Sequence, residues 1–301
     1  LKKASNINRR SFVKQSGIVA LAAPWILSCA TGTERVGLKD QSTDIGLQLY
    51  TLRNQLNEDI EGTIKAVAEI GYDYLELFNY QGGNYFGRTA SEFYALLQTY
   101  GLRSMSSHHM TGRTNPESSG TLLNGFDQAI EDAVKGGQKY MVCPYLQADE
   151  RLSMEDYRVL AEMLNEAGEK VKNAGMQFCY HNHDFEFQEL EGQLPMYYLM
   201  DNTDADFVKV ELDLYWITKA GFDPIAFFQK YPRRTPLWHV KDMAKSDDRN
   251  FTEVGNGRID FKAIFEQASA SGMEHFFVEQ DQSENPIGSI TTSHQNLSEF
   301  L

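Results

Sequence analysis

His181, Asp213, His239 and Glu279 each close a strand-like run, in MQFCYHNH, FVKVELDLYW, TPLWHVKD and HFFVEQD. They are spaced by roughly 30 residues or somewhat more, the length of one strand plus the helix that returns the chain to a parallel neighbour. Laid side by side, such strands bring the four side chains to one end of a sheet. Two imidazoles and two carboxylates make a mixed nitrogen–oxygen set that suits one divalent ion, such as Zn, Mn, Mg or Co. The competing reading of Asp213 and Glu279 is structural. A carboxylate interrupting an apolar strand needs some cation, and Lys241 or Arg258 could serve. His181 is equally open to a hydrogen-bonding role behind the ligands.

The other predicted strand ends carry groups of the same kind. They hold Gln48 and Tyr50, Glu76, His108 and His109, Tyr145, Asn182 and His183, Trp216, Lys241 and Asp242, and Asp281. With His181 and His239, five of the seven histidines fall at these strand ends, which marks them as the chemical face. His183 and His108 are candidate proton carriers. His108 and His109 are neighbours, so a strand turns them to opposite faces and one lies outside the site. Glu76 and Lys241 are candidates to contact substrate, though each could instead form an ion pair. Trp216 and Tyr50 could stack on a ligand ring or fill the interior.

Eight strands position these residues, at about 45–50, 73–78, 103–108, 140–145, 176–181, 207–213, 237–242 and 275–281. Most are near-continuous apolar runs, as expected when both faces are covered. A helix-like stretch ending in glycine precedes five of them, at Gly71, Gly101, Gly137, Gly175 and Gly272. Glycine there supplies the left-handed residue that closes a last helical turn. Asp223-Pro224 and Asp260 read as helix starts. Eight β-α units without a break predict an α/β fold, a single-domain (β/α)8 TIM barrel over residues 44–301. No glycine-rich phosphate turn follows the first strand, which argues against a doubly wound sheet.

Residues 1–29 read as an export signal of twin-arginine or lipoprotein type. The Arg9-Arg10 pair precedes an apolar stretch, and Cys29 stands where a lipid would be attached. Residues 30–43 read as a tether. The expected location is therefore periplasmic, or at a membrane through a lipid on Cys29. Cys143 and Cys179 are expected as buried free thiols. The chain holds 28 Lys and Arg against 42 Asp and Glu, and five of those cations precede residue 29. So acidic a body excludes nucleic acid as a partner and disfavours polyanionic substrates.

Six segments carry a resemblance: YLELF (74–78), YHNHDFEF (180–187), ELDLYW (211–216), HVKD (239–242), GNGRIDF (255–261) and VEQD (278–281). In this order, over most of residues 44–285, they resemble the xylose isomerase-like TIM-barrel superfamily of sugar phosphate isomerases and epimerases. The resemblance implies one divalent metal held by Asp213, His239 and Glu279. The fourth ligand falls where the family often has Glu-Asn-His and this chain has His181-Asn182-His183, with Glu186 as a candidate substitute. Asn182 is then a candidate substrate contact. The implied chemistry is proton abstraction beside a sugar carbonyl by Glu279, His183 or His108, with the metal stabilising an enediolate. Isomerisation, epimerisation and elimination share that step, and the family contains all three, inosose dehydratases included. The expectation is a metal-dependent isomerase or epimerase acting on a neutral sugar or keto-sugar. A lyase on keto-glycosides and a non-catalytic carbohydrate-binding lipoprotein are the alternatives. A metal-dependent nuclease of a related barrel fits the acidic charge poorly. The oligomeric state is left open.

Overall fold

Eight parallel strands wind in sequence order around one barrel in the computed structural model, which describes residues 44–301. The predicted export signal, tether and Cys29 lie outside the described residues. The strands are β1 (Gly46–Gln48), β2 (Tyr74–Leu77), β3 (Arg103–Ser107), β4 (Tyr140–Cys143), β5 (Gln177–His181), β6 (Val208–Asp213), β7 (Leu237–Val240) and β8 (His275–Val278). Each pairs with the next except β3 with β4, and β1 pairs with β8. Between β3 and β4 the barrel closes through a bridge at His108 and Val142 and a hydrogen bond of 2.8 Å from Lys139 N–H to Met105 O. The TIM barrel expected from the strand spacing is therefore the fold.

One main helix follows each strand: α1 (Ile60–Ile70), α2 (Ala90–Thr99), α3 (Phe126–Lys135), α4 (Met154–Asn173), α5 (Pro195–Asn202), α6 (Pro224–Lys230), α7 (Phe261–Phe265) and α8 (Pro286–Phe300). Their ends are encoded locally. Asp59 caps α1 on Gly62 N–H, Asp223 caps α6 on Ile225 N–H, and Asp260 caps α7 on Ala263 N–H. Thr89 with Glu92 and Ser153 with Asp156 form reciprocal capping boxes on α2 and α4. The five joint glycines all adopt positive φ. Among the described residues, no helix is long and apolar enough to cross a membrane.

Alternation along the strands builds two cores. Leu75, Leu77, Phe178, Tyr180, Val210, Leu212, Trp238 and Val240 face the helices. Tyr74, Met105, Tyr140, Val142, Cys179, Leu237 and Phe277 fill the barrel interior. Cys143 belongs to the first set and Cys179 to the second, so the barrel wall separates two free, buried thiols. Gly46 is required by this interior. A β-carbon there would lie 2.2 Å from the Tyr74 ring and 2.6 Å from Phe276 O.

Most of the strands stop earlier than their apolar runs suggest. β1 ends at Gln48 because its side chain accepts from Tyr50 N–H and turns Leu49–Leu52 into a tight helical turn. β7 ends at Val240. Beyond it Asp242–Met243 pairs with Phe251–Thr252 in a separate hairpin. These departures form the mouth of the barrel, above the apolar floor.

Candidate active site and metal centre

Strand register lines up the predicted ligands. His181 stands opposite Glu211 between β5 and β6, and His239 stands opposite Asp213 between β6 and β7. All are buried, with Asp213 and His239 at 0% exposure and His181 at 3%. His181 Nε2 lies 3.7 Å from Asp213 Oδ2, and His239 Nδ1 lies 3.9 Å from the same oxygen. Ligands about 2.1 Å from a tetrahedral ion lie roughly 3.4 Å from one another, so these gaps are near the edges of a coordination polyhedron. Glu279 Oε2 meets His239 Nδ1 directly at 2.7 Å.

The far nitrogens of both rings are already engaged. His181 Nδ1 meets Glu211 Oε2 at 3.0 Å. His239 Nε2 meets Glu76 Oε1 at 2.6 Å and Glu211 Oε2 at 3.1 Å. Each imidazole thus keeps one nitrogen on a buried carboxylate and turns the other toward Asp213, the arrangement that orients histidine ligands on metals. Asp213 Oδ2 is buried without an aligned hydrogen-bond donor, although the Lys241 ammonium approaches it to 2.9 Å. His181, Asp213 and His239 offer ligand atoms within 4.8 Å of one another. The residues present therefore fit a divalent ion.

Lys241 sits among three carboxylates. Its Nζ lies 2.9 Å from Asp213, 2.7 Å from Glu279 and 2.9 Å from Asp281. The structural partner considered for Asp213 and Glu279 is thus present in Lys241. Arg258 takes no part, because its guanidinium donates to the carbonyls of Ala244, Lys245 and Ser246. Burial works against the Glu279 anion, yet Lys241 and His239 outweigh it and hold this carboxyl well below its usual range. Burial lifts Asp281 to about 6 against the opposing pull of Lys241.

Beneath the mouth lies a second charged layer, of Glu76, His108, Glu211 and His239. Glu76 accepts from Gln48 Nε2 (2.7 Å) and Ser106 Oγ (2.6 Å) and pairs with His108 at 2.9 Å. Burial opposes charge on His108, but Glu76 and Glu211 prevail and raise it to about 9. The two carboxyls are driven apart. Against burial, His108 and His239 hold Glu76 low, whereas burial and the neighbouring Glu76 charge raise Glu211. Glu211 is the site residue that the strand-end reading missed. The signal was available, because Glu211 and Asp213 are two apart on one strand and share its inner face.

A cavity of about 500 Å³ opens above this centre. His108, His181, His183, Lys241, Glu279 and Asp281 line it, with Tyr50, Phe78 and Tyr145 as aromatic walls. His183 stacks on Phe185 with ring planes 7° apart and meets Tyr145 edge-on at 4.9 Å. Its Nδ1 is buried without a partner, and burial followed by the Lys241 charge keeps the ring neutral.

Three expected substrate contacts and one substitute ligand stand elsewhere. Glu76 is 0% exposed, enclosed below the cavity by its histidine pairs. Asn182 is also fully enclosed; it accepts from Asp213 N–H at 2.9 Å and donates to His183 O. Trp216 packs on His183 at 5.2 Å and is not part of the cavity wall. Glu186 is no ligand. Its carboxylate accepts from Tyr180 Oη (2.6 Å) and His183 N–H (2.8 Å), which fixes the backbone that carries His183. His109 is directed away to Ser107 Oγ and Gly120 O, each at 2.8 Å.

The fold and these residues define a TIM barrel with a cluster of residues that could hold a metal at the C-terminal end of its strands. The chain belongs to the xylose isomerase-like TIM-barrel family, whose model matches residues 64–298. It is similar to inosose dehydratases of Lacticaseibacillus casei (29% identity; 44% of this chain, 51% of that one) and Clostridium perfringens (28%; 48% and 54%). It therefore spans about half the length of the curated relatives it matches. It also superposes on a sugar phosphate isomerase/epimerase from Parabacteroides distasonis with a TM-score of 0.74 and 25% identity, over 84% of this chain and 97% of the other. The IOLI protein with a bound zinc atom shares the fold at TM-score 0.68 and 15% identity, over 86% and 99% of the two chains.

Proposed function

We propose that this chain is a metal-dependent lyase of the dehydratase type, acting on a neutral polyhydroxy ketone. It removes a proton beside the carbonyl and releases an oxygen substituent one carbon further on. The carrying observation is the presence, in the wall of one cavity, of a neutral imidazole (His183) and a second imidazole (His108) held by two carboxylates. Groups of opposite protonation on one cavity suit a reaction that needs a base and an acid at once. The inosose dehydratase relatives point the same way.

His181, Asp213, His239 and Glu279 would hold the ion. Such an ion, when bound, polarises a carbonyl and its adjacent hydroxyl and stabilises the negative charge that builds as the proton leaves. His183 accepts that proton. His108 supplies one to the departing oxygen, and the negative field of Glu76 and Glu211 keeps it charged. Lys241 orients substrate oxygens at the mouth, with Asp213 and Glu279 fixing its ammonium. A neutral substrate follows from the balance of the wall, where Lys241 is spent on three carboxylates, His108 on Glu76 and Glu211, and Arg53 is the remaining cation among the described lining residues. The export expected from residues 1–29 agrees, because exported enzymes rarely meet sugar phosphates.

Isomerisation or epimerisation is the second reading, favoured by the likeness to the Parabacteroides distasonis protein. Purified protein is to be assayed on cyclic and open-chain keto-sugars, each also deuterated beside the carbonyl. Elimination gives a conjugated carbonyl with a new ultraviolet band, whereas isomerisation gives none. Undiminished turnover after chelation, with no slowing of the deuterated substrate, excludes both.

A further inference from the structure

A second cavity lies beside the first on the same face of the barrel. Its volume is about 910 Å³, against about 500 Å³ for the inner one. Arg53 and Gln282 stand in both walls, so the two spaces adjoin. Five side-chain amides stand in the outer wall, those of Asn250, Asn256, Gln280, Gln282 and Asn285. Each amide can donate and accept, which matches neighbouring hydroxyls on a sugar ring. Glu253 and Glu284 accompany Arg53 in this wall, so it offers no net positive charge to a phosphate.

The groove is built into the fold. The Asp242 carboxylate accepts from the backbone N–H groups of Gly255 (2.9 Å), Gly257 (2.9 Å) and Ile259 (3.2 Å), clamping the loop that carries Asn256. Helix α8 holds the same loop from the other side. Ser293 Oγ accepts from Val254 N–H at 3.0 Å, and Asn296 donates to Val254 O at 2.7 Å. Gln280 is 7% exposed and lines the groove, and its Oε1 has no partner. Gln280 Nε2 donates to Gln282 O at 3.0 Å, which ties together two of the amides in this wall.

We infer that the outer groove is a subsite for a second saccharide unit, so that the substrate is a disaccharide or other glycoside. This rests on the proposed proton chemistry for the inner ring. The carbonyl-bearing ring occupies the inner cavity, and the linked sugar passes Arg53 and Gln282 into the amide-lined space.

Calorimetry with maltose, cellobiose and lactose, against glucose and galactose, tests the subsite on the metal-loaded protein and on an Asn250→Ala/Asn256→Ala variant. Both asparagines are exposed, and thermal melting verifies that the variant is folded. The expected result is at least one disaccharide bound about tenfold tighter than its component monosaccharide, with that ratio falling to about one in the variant. No disaccharide advantage, or an advantage the variant keeps, overturns the subsite. Hydrogen exchange beside the carbonyl of single-ring keto-sugars separates the two readings. A groove-dependent advantage without exchange upholds the subsite and defeats the proton chemistry. Exchange without an advantage defeats the subsite alone.

Discussion

Glu211 and Asp213 are carboxylates two residues apart on β6, facing the same interior and both at 0% exposure. Their surroundings differ. Glu211 Oε2 lies within 3.4 Å of three imidazoles, those of His108, His181 and His239. Asp213 faces one ammonium at 2.9 Å and has two imidazole nitrogens at 3.7 and 3.9 Å, while each carboxylate keeps one oxygen without an aligned donor. Burial alone therefore does not identify the reactive group. The deeper carboxylate packs directly on three rings and fixes their directions, whereas the outer one stands off from His181 and His239 at 3.7 and 3.9 Å, the spacing of groups that could share an ion.

The sharpest test of this contrast is Asp213→Ala. It should abolish stoichiometric binding of a divalent ion, read by elemental analysis of protein purified without added metal, and turnover with it. Glu211→Gln should retain the ion at about 10- to 100-fold weaker affinity, as expected when a partner of a histidine ligand is lost. If Glu211→Gln loses the ion completely while Asp213→Ala keeps it, the deeper cluster of Glu76, His108, Glu211 and His239 is the metal site instead.

A smaller effect than the total loss at Asp213, though of several decades, belongs to His183→Ala. Removing a positioned proton carrier lowers turnover by about 10²- to 10⁴-fold. Metal content should stay unchanged, since His183 is not among the four proposed ligands. Loss of metal in this variant would move His183 into the coordination set.

The least effect concerns His108 and His109, adjacent histidines in opposite states. Burial is the main cause that depresses His109 to about 4, and the nearby His108 charge adds to it. The unfolded chain takes this proton near pH 6.5, before the folded one does. Stability is thus full above about 6.5 and falls as pH drops toward 4, by about 3 kcal/mol at most from this residue. Denaturant titrations at pH 7 and 4.5 should show His109→Gln with a smaller acid-side loss than the parent. An equal loss would mean that His109 is not held neutral.

The barrel was legible because each unit repeats the same punctuation. Glycine joints, aspartate caps and apolar strands are local signals, and local signals survive in sequence. The convergence of the candidate ligands was legible for a related reason, since residues at the ends of parallel strands must converge once the barrel closes. The depth of each group was not legible. Glu76 reads as a strand-end acid, yet one residue before the end of β2 it points into the barrel and meets His239, far away in sequence. The triple grip on Lys241 is equally hidden, because Asp213, Glu279 and Asp281 come from β6 and the segment after β8. Asp242 shows the limit best. At a strand end it resembles a catalytic acid, and only the folded loop reveals that its oxygens are taken by backbone amides.

Residues 239–242 assign one task to each position in turn: a ring spanning both charged layers, an apolar plug against the helices, an ammonium at the mouth, and the loop clamp. Side chains alternate faces along an extended segment, so inserting or deleting one residue here exchanges inside for outside at every position. This restricts how the molecule can be remodelled. New loop sequence can be grafted between Ser246 and Asn250, where the chain is exposed, whereas the four preceding positions must be inherited together as a fixed cassette.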